Sequence, residues 1–379
     1  MEYKTIFLAI LLLIFPLFLI WGERRVKIIQ LISPIIICYG LGLLLANFSF
    51  FEVDRQLSTS MVNVMVPLAI PLLLLSTNIV KWLKGAKGAV VSFMLCILSV
   101  LISSTVAVFL FQDQIPESWK LAGMLVGVYT GGTPNMNAIG LSLGVKEETF
   151  ILLNASDMLM SSLYLLFLLT FAKPLFSKFF PQFKAPLSIE DFDEEVTFRD
   201  LSRKRRAKNA TLLILLSFGI LLAAVGLSFL IYGKIGDVFV ILFVTTLGVA
   251  FSFIGKLNKL LGSQEVGEYF LLVFCFALGS IADIGELMNS ASDALQFNAF
   301  LMFGAILLHY IMAYFARIDS DTVIITSVAG IFGPAFIGPV AKAMKNKSIV
   351  LIGMTTGLVG YAFSNYLGIG FALFLKNWF

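Results

Sequence analysis

Apolar residues in this chain come in long unbroken runs rather than in the short periodic patterns of a water-soluble fold. Twelve runs approach or exceed the roughly 20 residues that a helix needs to cross a bilayer. They fall at about 4–21, 29–50, 61–80, 88–111, 119–143, 149–173, 210–232, 236–254, 266–285, 297–316, 322–343 and 348–375. Each predicts a helix. The longest polar interval, 174–209, contains Glu190, Asp191, Asp193, Glu194 and Glu195, followed by Arg203-Lys204-Arg205-Arg206. That density of charge does not cross a membrane, so residues 176–209 are expected to form a cytoplasmic linker. A first membrane unit (1–175) precedes it and a second (210–379) follows. The first run ends at Trp21-Gly22-Glu23-Arg24-Arg25 without a small-x-small cleavage site and reads as a retained helix.

Composition sharpens the class. The 379 residues are 59% hydrophobic and 13% charged, against about 45–50% and about 25% in soluble domains. So little charge cannot cover a soluble surface, and the expected fold is an all-α polytopic protein of the cytoplasmic membrane, with lipid as its main surroundings. One His and three Cys leave no material for a metal cluster or a disulfide framework, and no cofactor is expected. Cys38, Cys96 and Cys275 lie inside apolar runs, where thiols pack as small hydrophobes. The net charge of +4 resides between apolar runs, so nucleic acid is not an expected partner. His-Glu-x-x-His, Gly-x-Ser-x-Gly and phosphate-loop signatures are absent, which argues against an enzyme and against a nucleotide-driven pump.

The halves resemble each other. Gly131-Gly132-Thr133-Pro134 interrupts the fifth run of the first half and Phe332-Gly333-Pro334 that of the second, with the two prolines 200 residues apart. Leu75-Ser76-Thr77-Asn78-Ile79 matches Ser280-Ile281-Ala282-Asp283-Ile284 more loosely. An internal duplication is therefore expected. Twelve full crossings would make the repeats parallel. The positive-inside rule disagrees: it places Arg24, Arg25, Lys27, Lys81, Lys84 and Lys87 in the cytoplasm, while simple alternation puts the basic linker on the other side. One added or missing crossing between residues 88 and 209 would reconcile both and would invert the repeats.

A helix broken within the bilayer exposes backbone groups that only protein or a water-filled cavity can satisfy. Transporters place substrate and ion sites at such breaks. Around the first break, Thr130, Thr133, Asn135 and Asn137 offer neutral oxygens of the kind that sodium prefers. Asp157 lies about nine residues into the following apolar run, where a carboxylate costs roughly 2.5–3.5 kcal/mol at the bilayer centre. Asn154 and Ser161 are one helical turn to either side of it and share its face. The expected ion site is thus Thr130, Thr133, Asn135, Asn137, Asn154 and Asp157, with Asp157 and Asn154 as sodium ligands; a proton is the other coupling ion to consider. The expected substrate surface is Gly131, Gly132, Phe332, Gly333 and Pro334, with Asn365 beside Ser364 and Tyr361. Blander readings stand beside these: a packing kink at the break, and an Asp157 that serves only as a hydrogen-bonding group.

Other polar positions carry less. Asn78 and Asp283 could cap helices or line a cavity, His309 reads as a packing histidine, and Glu268 and Glu286 sit near span ends. Arg203–Arg206 reads as a positive-inside determinant or an anionic-lipid contact.

The run Val128-Tyr129-Thr130-Gly131-Gly132-Thr133-Pro134-Asn135-Met136-Asn137-Ala138, followed by Asn154-Ala155-Ser156-Asp157, resembles the YjcL-like membrane family, known as domain of unknown function 819. The likeness covers the whole chain in length, span count and duplicated layout. It is most specific over 128–157, and weaker at the second break, where Phe332 stands in place of Gly132. The resemblance implies kinship with cation:proton antiporters and bile-acid-type sodium symporters. It further implies a core in which two broken helices cross near the midplane and move against a panel or dimerisation domain, which leaves room for a homodimer. In those proteins an acidic residue on the helix after the first break, here Asp157, carries the coupling.

The function expected is secondary active transport of a small organic solute by alternating access, coupled to sodium or protons. The alternative is a cation:proton antiporter or an ion channel without an organic substrate. Runs three to six and nine to twelve are expected to form the mobile core, and runs one, two, seven and eight the scaffold.

Overall fold

The structure, a computed structural model, describes residues 2–22, 25, 34–47, 53–75, 87–183, 198–258 and 260–378. Among these the regular elements are all helical. The first half contributes α1 (Glu2–Gly22), α2 (Pro34–Asn47), α3 (Arg55–Leu74), α4 (Lys87–Phe111), α5 (Ser118–Gly131), α6 (Thr133–Ser142) and α7 (Glu147–Phe167). A π-helical turn, Leu168–Ala172, prolongs α7 to a last turn at Lys173–Phe176. The second half contributes α8 (Arg203–Tyr232), α9 (Asp237–Ser252), α10 (Ser263–Gly279), α11 (Ile284–Phe315), α12 (Ser320–Phe332), α13 (Ile337–Ala343) and α14 (Val350–Lys376). Arg203–Arg206, expected in the linker, begin α8 behind the cap of Ser202. Seven of these helices are long and apolar enough to cross a membrane: α1, α3, α4, α7 with its extension, α8, α11 and α14.

Two of the twelve apolar runs are not single helices. If 118–144 were one transmembrane helix, its ends would lie about 39 Å apart at 1.5 Å per residue. Instead the Lys120 ammonium donates to the Gly144 carbonyl at 3.2 Å, and a Cβ on Gly123 would stand 3.3 Å from Leu143. The segment folds back at Gly132 into a hairpin of α5 and α6. The second half repeats this: Asn346 Nδ2 donates to Asp321 Oδ2 at 2.7 Å, which closes a hairpin of α12 and α13 at Gly333. The broken helices expected from sequence are present, and α5 packs on α12. Neither continues to the far side.

The hairpins open at opposite ends of the molecule, and α14 is the ruler. The Lys376 ammonium at its C-terminal end lies over the Trp119 ring at the mouth of the first hairpin, 5.2 Å from the centroid. Its N-terminal end follows Ser348, whose N–H donates to Asn346 at the mouth of the second. The 27 residues between those ends measure about 40 Å.

Packing sorts the helices into two groups. In the first, α3 and α10 lie against each other, with α1 and α2 on α10 and α8 and α9 on α3. In the second, α4 and α7 pack on α11, while α5 and α12 pack on α14, on α4 and on one another. The groups meet chiefly where α6 and α14 touch α3 and α9, with a smaller contact between α7 and α10. The third and ninth runs, α3 and α10, were expected with the mobile core and belong to the other group. Their sequences explain this. Every residue from Phe270 to Gly279 of α10 and from Met65 to Leu74 of α3 is buried, and helices apolar all round seek the middle of a helical assembly. The first-group contacts are also reciprocal between halves, since α2 sits on α10 as α9 sits on α3.

Candidate functional site

The first hairpin turns because of its glycines. Gly132 has φ 77° and ψ 174°, a conformation that residues with a Cβ rarely adopt. Its N–H donates to Val128 O at 2.7 Å and its carbonyl accepts from Asn135 N at 3.1 Å. Asn135 Nδ2 donates back to Gly131 O at 2.7 Å, which satisfies a carbonyl that the end of α5 would otherwise leave open. The second tip is built alike: Gly333 has φ 67° and ψ −163°, followed by a short 3-10 turn at Pro334–Phe336. The first break is narrower than the Gly131–Pro134 motif, since the chain is helical through Gly131 and again from Thr133.

The two tips meet. A Cβ placed on Gly132 would stand 3.8 Å from the backbone nitrogen of Gly333 and 3.1 Å from Cε1 of Tyr361; one on Gly333 would stand 2.8 Å from the Tyr361 hydroxyl oxygen. Tyr361 lies near the middle of α14. One turn on, Ser364 and Thr130 share a hydrogen bond of 2.8 Å, and Thr130 also donates to Val126 O. Phe332 stacks on Tyr164 with ring centroids 6.2 Å apart. Thr133 and Pro134 are half-buried at the tip.

Asp157 lies behind the first tip on α7, 7% exposed. It accepts from Ser161 Oγ at 3.2 Å and is hydrogen-bonded to the Tyr129 phenol. The same phenol donates to Asn298 Oδ1 of α11 at 2.5 Å, and Asn298 Nδ2 donates to Ser156 at 3.0 Å. Among the described residues no ion pair reaches Asp157. Asn154, also buried, turns its Nδ2 to Phe150 O at 3.0 Å.

The residues expected around one ion therefore fall into three places. Asp157 and Asn154 are on α7; Thr130 and Asn135 are engaged within the tip and with α14; Asn137 is elsewhere. Both side-chain polar atoms of Asn137 are buried without a hydrogen-bond partner, and so is Oδ1 of Asn365. Asn365 Nδ2 donates to Thr245 Oγ1 on α9 at 3.0 Å. Tyr129, Asn298 and Thr245 were not singled out from the sequence. Tyr129 lay inside the glycine motif, and Asn298 was legible as an amide inside an apolar run, a costly placement that marks a role.

The lesser candidates are placed as follows. His309, 1% exposed, lies 3.2 Å from Ser92 Oγ and 3.1 Å from Ser92 O, a satisfied packing histidine. Asp283 is exposed, and its N–H donates to Glu148 at 3.3 Å. Glu268 is close enough to Tyr361 to act on it electrostatically. Asn78 and the side chain of Glu286 lie outside the described residues. The three cysteines are buried and unpaired. Asp54 caps α3. The Leu57 N–H and the Thr5 hydroxyl donate to it and hold its carboxyl below the usual carboxylate range.

Seven helices able to span a bilayer, wrapped around buried polar hairpin tips, define a multi-pass membrane protein. The chain belongs to the family described as protein of unknown function (DUF819), whose model matches residues 10–378. It is 23% identical over 369 residues to the uncharacterized membrane protein YjcL of Bacillus subtilis (strain 168), covering 94% of this chain and 92% of that one.

Proposed function

We propose that this protein is a secondary active transporter of the cytoplasmic membrane. It moves a small organic solute by alternating access, with sodium or a proton as coupling ion and Asp157 as the group that carries the coupling. The observation behind this reading is the tip-to-tip meeting of two hairpins that enter from opposite ends. Such an arrangement brings irregular backbone to the middle of the molecule and surrounds it with protein, the one setting in which a bilayer tolerates it.

Topology supports the same reading. With each hairpin returning to its own side, and with α2, α9 and α10, which are shorter than the seven long helices, also crossing, each half makes five crossings, an odd number, and the halves become inverted repeats. In that arrangement all Lys and Arg but Lys4, Arg55, Lys120, Lys146, Lys234 and Lys376 fall on one side, out of 27 in the chain. This is the cytoplasmic bias that the positive-inside rule describes.

Asp157 supports it chemically. Its described partners are hydroxyls, and a carboxylate so enclosed needs a counter-charge. A bound sodium ion or a proton supplies one, and releasing it would give the two sides of the cycle different charge.

The test is uptake in proteoliposomes with sodium and pH gradients imposed separately. Gradient-driven uptake that is lost in Asp157→Asn is the expected result. Full uptake by that variant removes the assignment, and indifference to both gradients removes coupled transport. Counterflow of labelled against unlabelled solute separates a carrier from a channel.

A further inference from the structure

The unpaired amides are on α6 and α14, the helices through which the two groups chiefly meet. On α6, Ile139 and Asn135 face back towards Gly127 of α5, and Gly140 faces Phe150 and Met124. At 3.6 residues per turn, Asn137 projects roughly half a turn round from the face of Asn135 and Ile139, and besides α5 and α14 the chief neighbours of α6 are α3 and α9. On α14, Gly357, Ser364 and Gly368 face the hairpins, and Asn365, off that stripe, reaches Thr245 of α9. The helices α6, α9 and α14 also pack on one another in pairs. Asn137 and Asn365 are both 0% exposed.

Buried polar side chains almost always find partners, so two at one junction call for an explanation. Asn137 offers two N–H donors and one carbonyl acceptor, and Asn365 adds a second acceptor. Thr245 adds no donor, because its hydroxyl is spent on Ile241 O at 2.7 Å. Charge limits what could fill the place. The four helices of the junction, α3, α6, α9 and α14, carry Lys, Arg, Asp or Glu only at their end residues Arg55, Asp237 and Lys376. An ion buried among them would find no counter-charge on these four helices, and Glu268 of α10, which acts on Tyr361 from outside them, is exposed; burying such an ion is far costlier than burying a hydrogen-bonded neutral group.

Resting on the transporter reading above, we propose that Asn137 and Asn365 form the recognition site for an uncharged solute group that carries a donor and an acceptor side by side, as a carboxamide, a ureide or a nucleobase edge does. The site straddles the two helix groups. Relative movement of the groups would therefore open it to either side, and the bond from Asn365 to Thr245 would part in that movement.

Binding to purified full-length protein in detergent tests this without any gradient, so a failure of coupled transport and a failure of this site are separable. The probes are uracil and acetamide, with acetate and methylammonium as charged counterparts of similar size, read by the shift in melting temperature. The expected result is that a neutral probe stabilises the wild-type protein, with the shift lost in both Asn137→Ala and Asn365→Ala. Stabilisation by the charged probes only, or by none of the four, overturns the proposal. Asn137→Leu guards against a trivial outcome. With no partner to lose, its ligand-free melting temperature should equal or exceed that of the wild type. A lower value would mean that Asn137 holds a structural water, which also overturns the proposal.

Discussion

Gly132 and Gly333, 201 residues apart in the chain, face each other across the hairpin tips, with a Cβ on the first 3.8 Å from the backbone nitrogen of the second. Both have positive φ, and both abut the ring of Tyr361. The contact joins the two halves of the protein through main chain, with the Tyr361 ring beside it. Any movement of one hairpin is thus felt directly by the backbone of the other.

Alanine at either tip should be costly. The backbone conformations at Gly132 and Gly333 are strained for any residue with a Cβ, by about 1–3 kcal/mol, and at Gly333 the methyl would meet the Tyr361 hydroxyl oxygen at 2.8 Å. Gly132→Ala and Gly333→Ala are each expected to lower the unfolding midpoint in detergent. Tyr361→Ala should relieve Gly333→Ala only in part, because it removes the collision and leaves the backbone strain. Wild-type stability in Gly333→Ala would contradict the tip geometry.

Much of this was legible in the sequence and some was not, for physical reasons. Gly131-Gly132-Thr133-Pro134 and Phe332-Gly333-Pro334 announced two breaks because few other residues serve where a helix must turn. A break does not say whether the chain goes on or goes back. Hydropathy reports length, and 119–143 has the length of a crossing; what distinguishes a hairpin is the approach of Lys120 to Gly144, a tertiary fact. The conflict between basic linker and simple alternation was the one trace of it in the sequence. Asp157 stood out as a carboxylate in an apolar run, but its partners Tyr129 and Asn298 come from other helices. The positions of α3 and α10 among the first group needed their all-round burial, which apolar composition alone does not specify in a membrane protein.

Tyr129 is placed to sense the state of Asp157. Its single proton lies between Asn298 Oδ1, 2.5 Å away, and the Asp157 carboxyl. Tyr129→Phe would leave Asn298 Oδ1 without this donor, a loss of about 1–3 kcal/mol for a buried acceptor. On the transporter reading it should also change the sodium or pH dependence of uptake without abolishing uptake, whereas Asp157→Asn is expected to abolish it. A Tyr129→Phe protein with the wild-type ion dependence would detach the phenol from coupling.

Acid should weaken the start of α3. The Asp54 carboxyl is held below its usual range chiefly by the Leu57 N–H, then by the Thr5 hydroxyl. A group whose folded pKa is depressed contributes stability above its unfolded value and loses it as pH falls through the folded value. Asp54→Ala should therefore melt earlier than the wild type near neutral pH. The difference should shrink as the pH is lowered through the depressed pKa, and a difference that grows on acidification would be the wrong sign.

The second hairpin is tied at its mouth by Lys173, which pairs with Asp321. Asp321 is 2% exposed and also accepts from Ser320 at 3.0 Å and Asn346 at 2.7 Å. Lys173→Met strands this carboxylate with two neutral donors, so it should destabilise more than Asp321→Asn, which releases a lysine able to reach water. The double variant should recover part of the loss, because the two residues share one interaction and their effects are not additive. Additive melting shifts would show that the ion pair carries no stability.

The hairpin topology makes a prediction that a crossing helix cannot imitate. The exposed Gln114 and Lys146 bracket the first hairpin and must lie on one side of the membrane, while the exposed Ala316 and Ala343 bracket the second and must lie together on the other. Single cysteines introduced at these four positions, after replacement of the buried Cys38, Cys96 and Cys275, can be probed in intact cells with a thiol reagent that does not cross the bilayer. If 118–144 and 320–346 were transmembrane helices, each pair would be split, with one member labelled and one protected. With two hairpins the members of a pair should behave alike and the two pairs oppositely. The charge distribution assigns the sides: Arg317, Lys342, Lys345 and Lys347 cluster about the second mouth, where the positive-inside rule places the cytoplasm. Labelling of Gln114→Cys and Lys146→Cys from outside, with Ala316→Cys and Ala343→Cys labelled only after the membrane is made permeable, is the expected pattern. A split within either pair would replace that hairpin by a crossing, and the tips could then no longer meet as they do at Gly132 and Gly333.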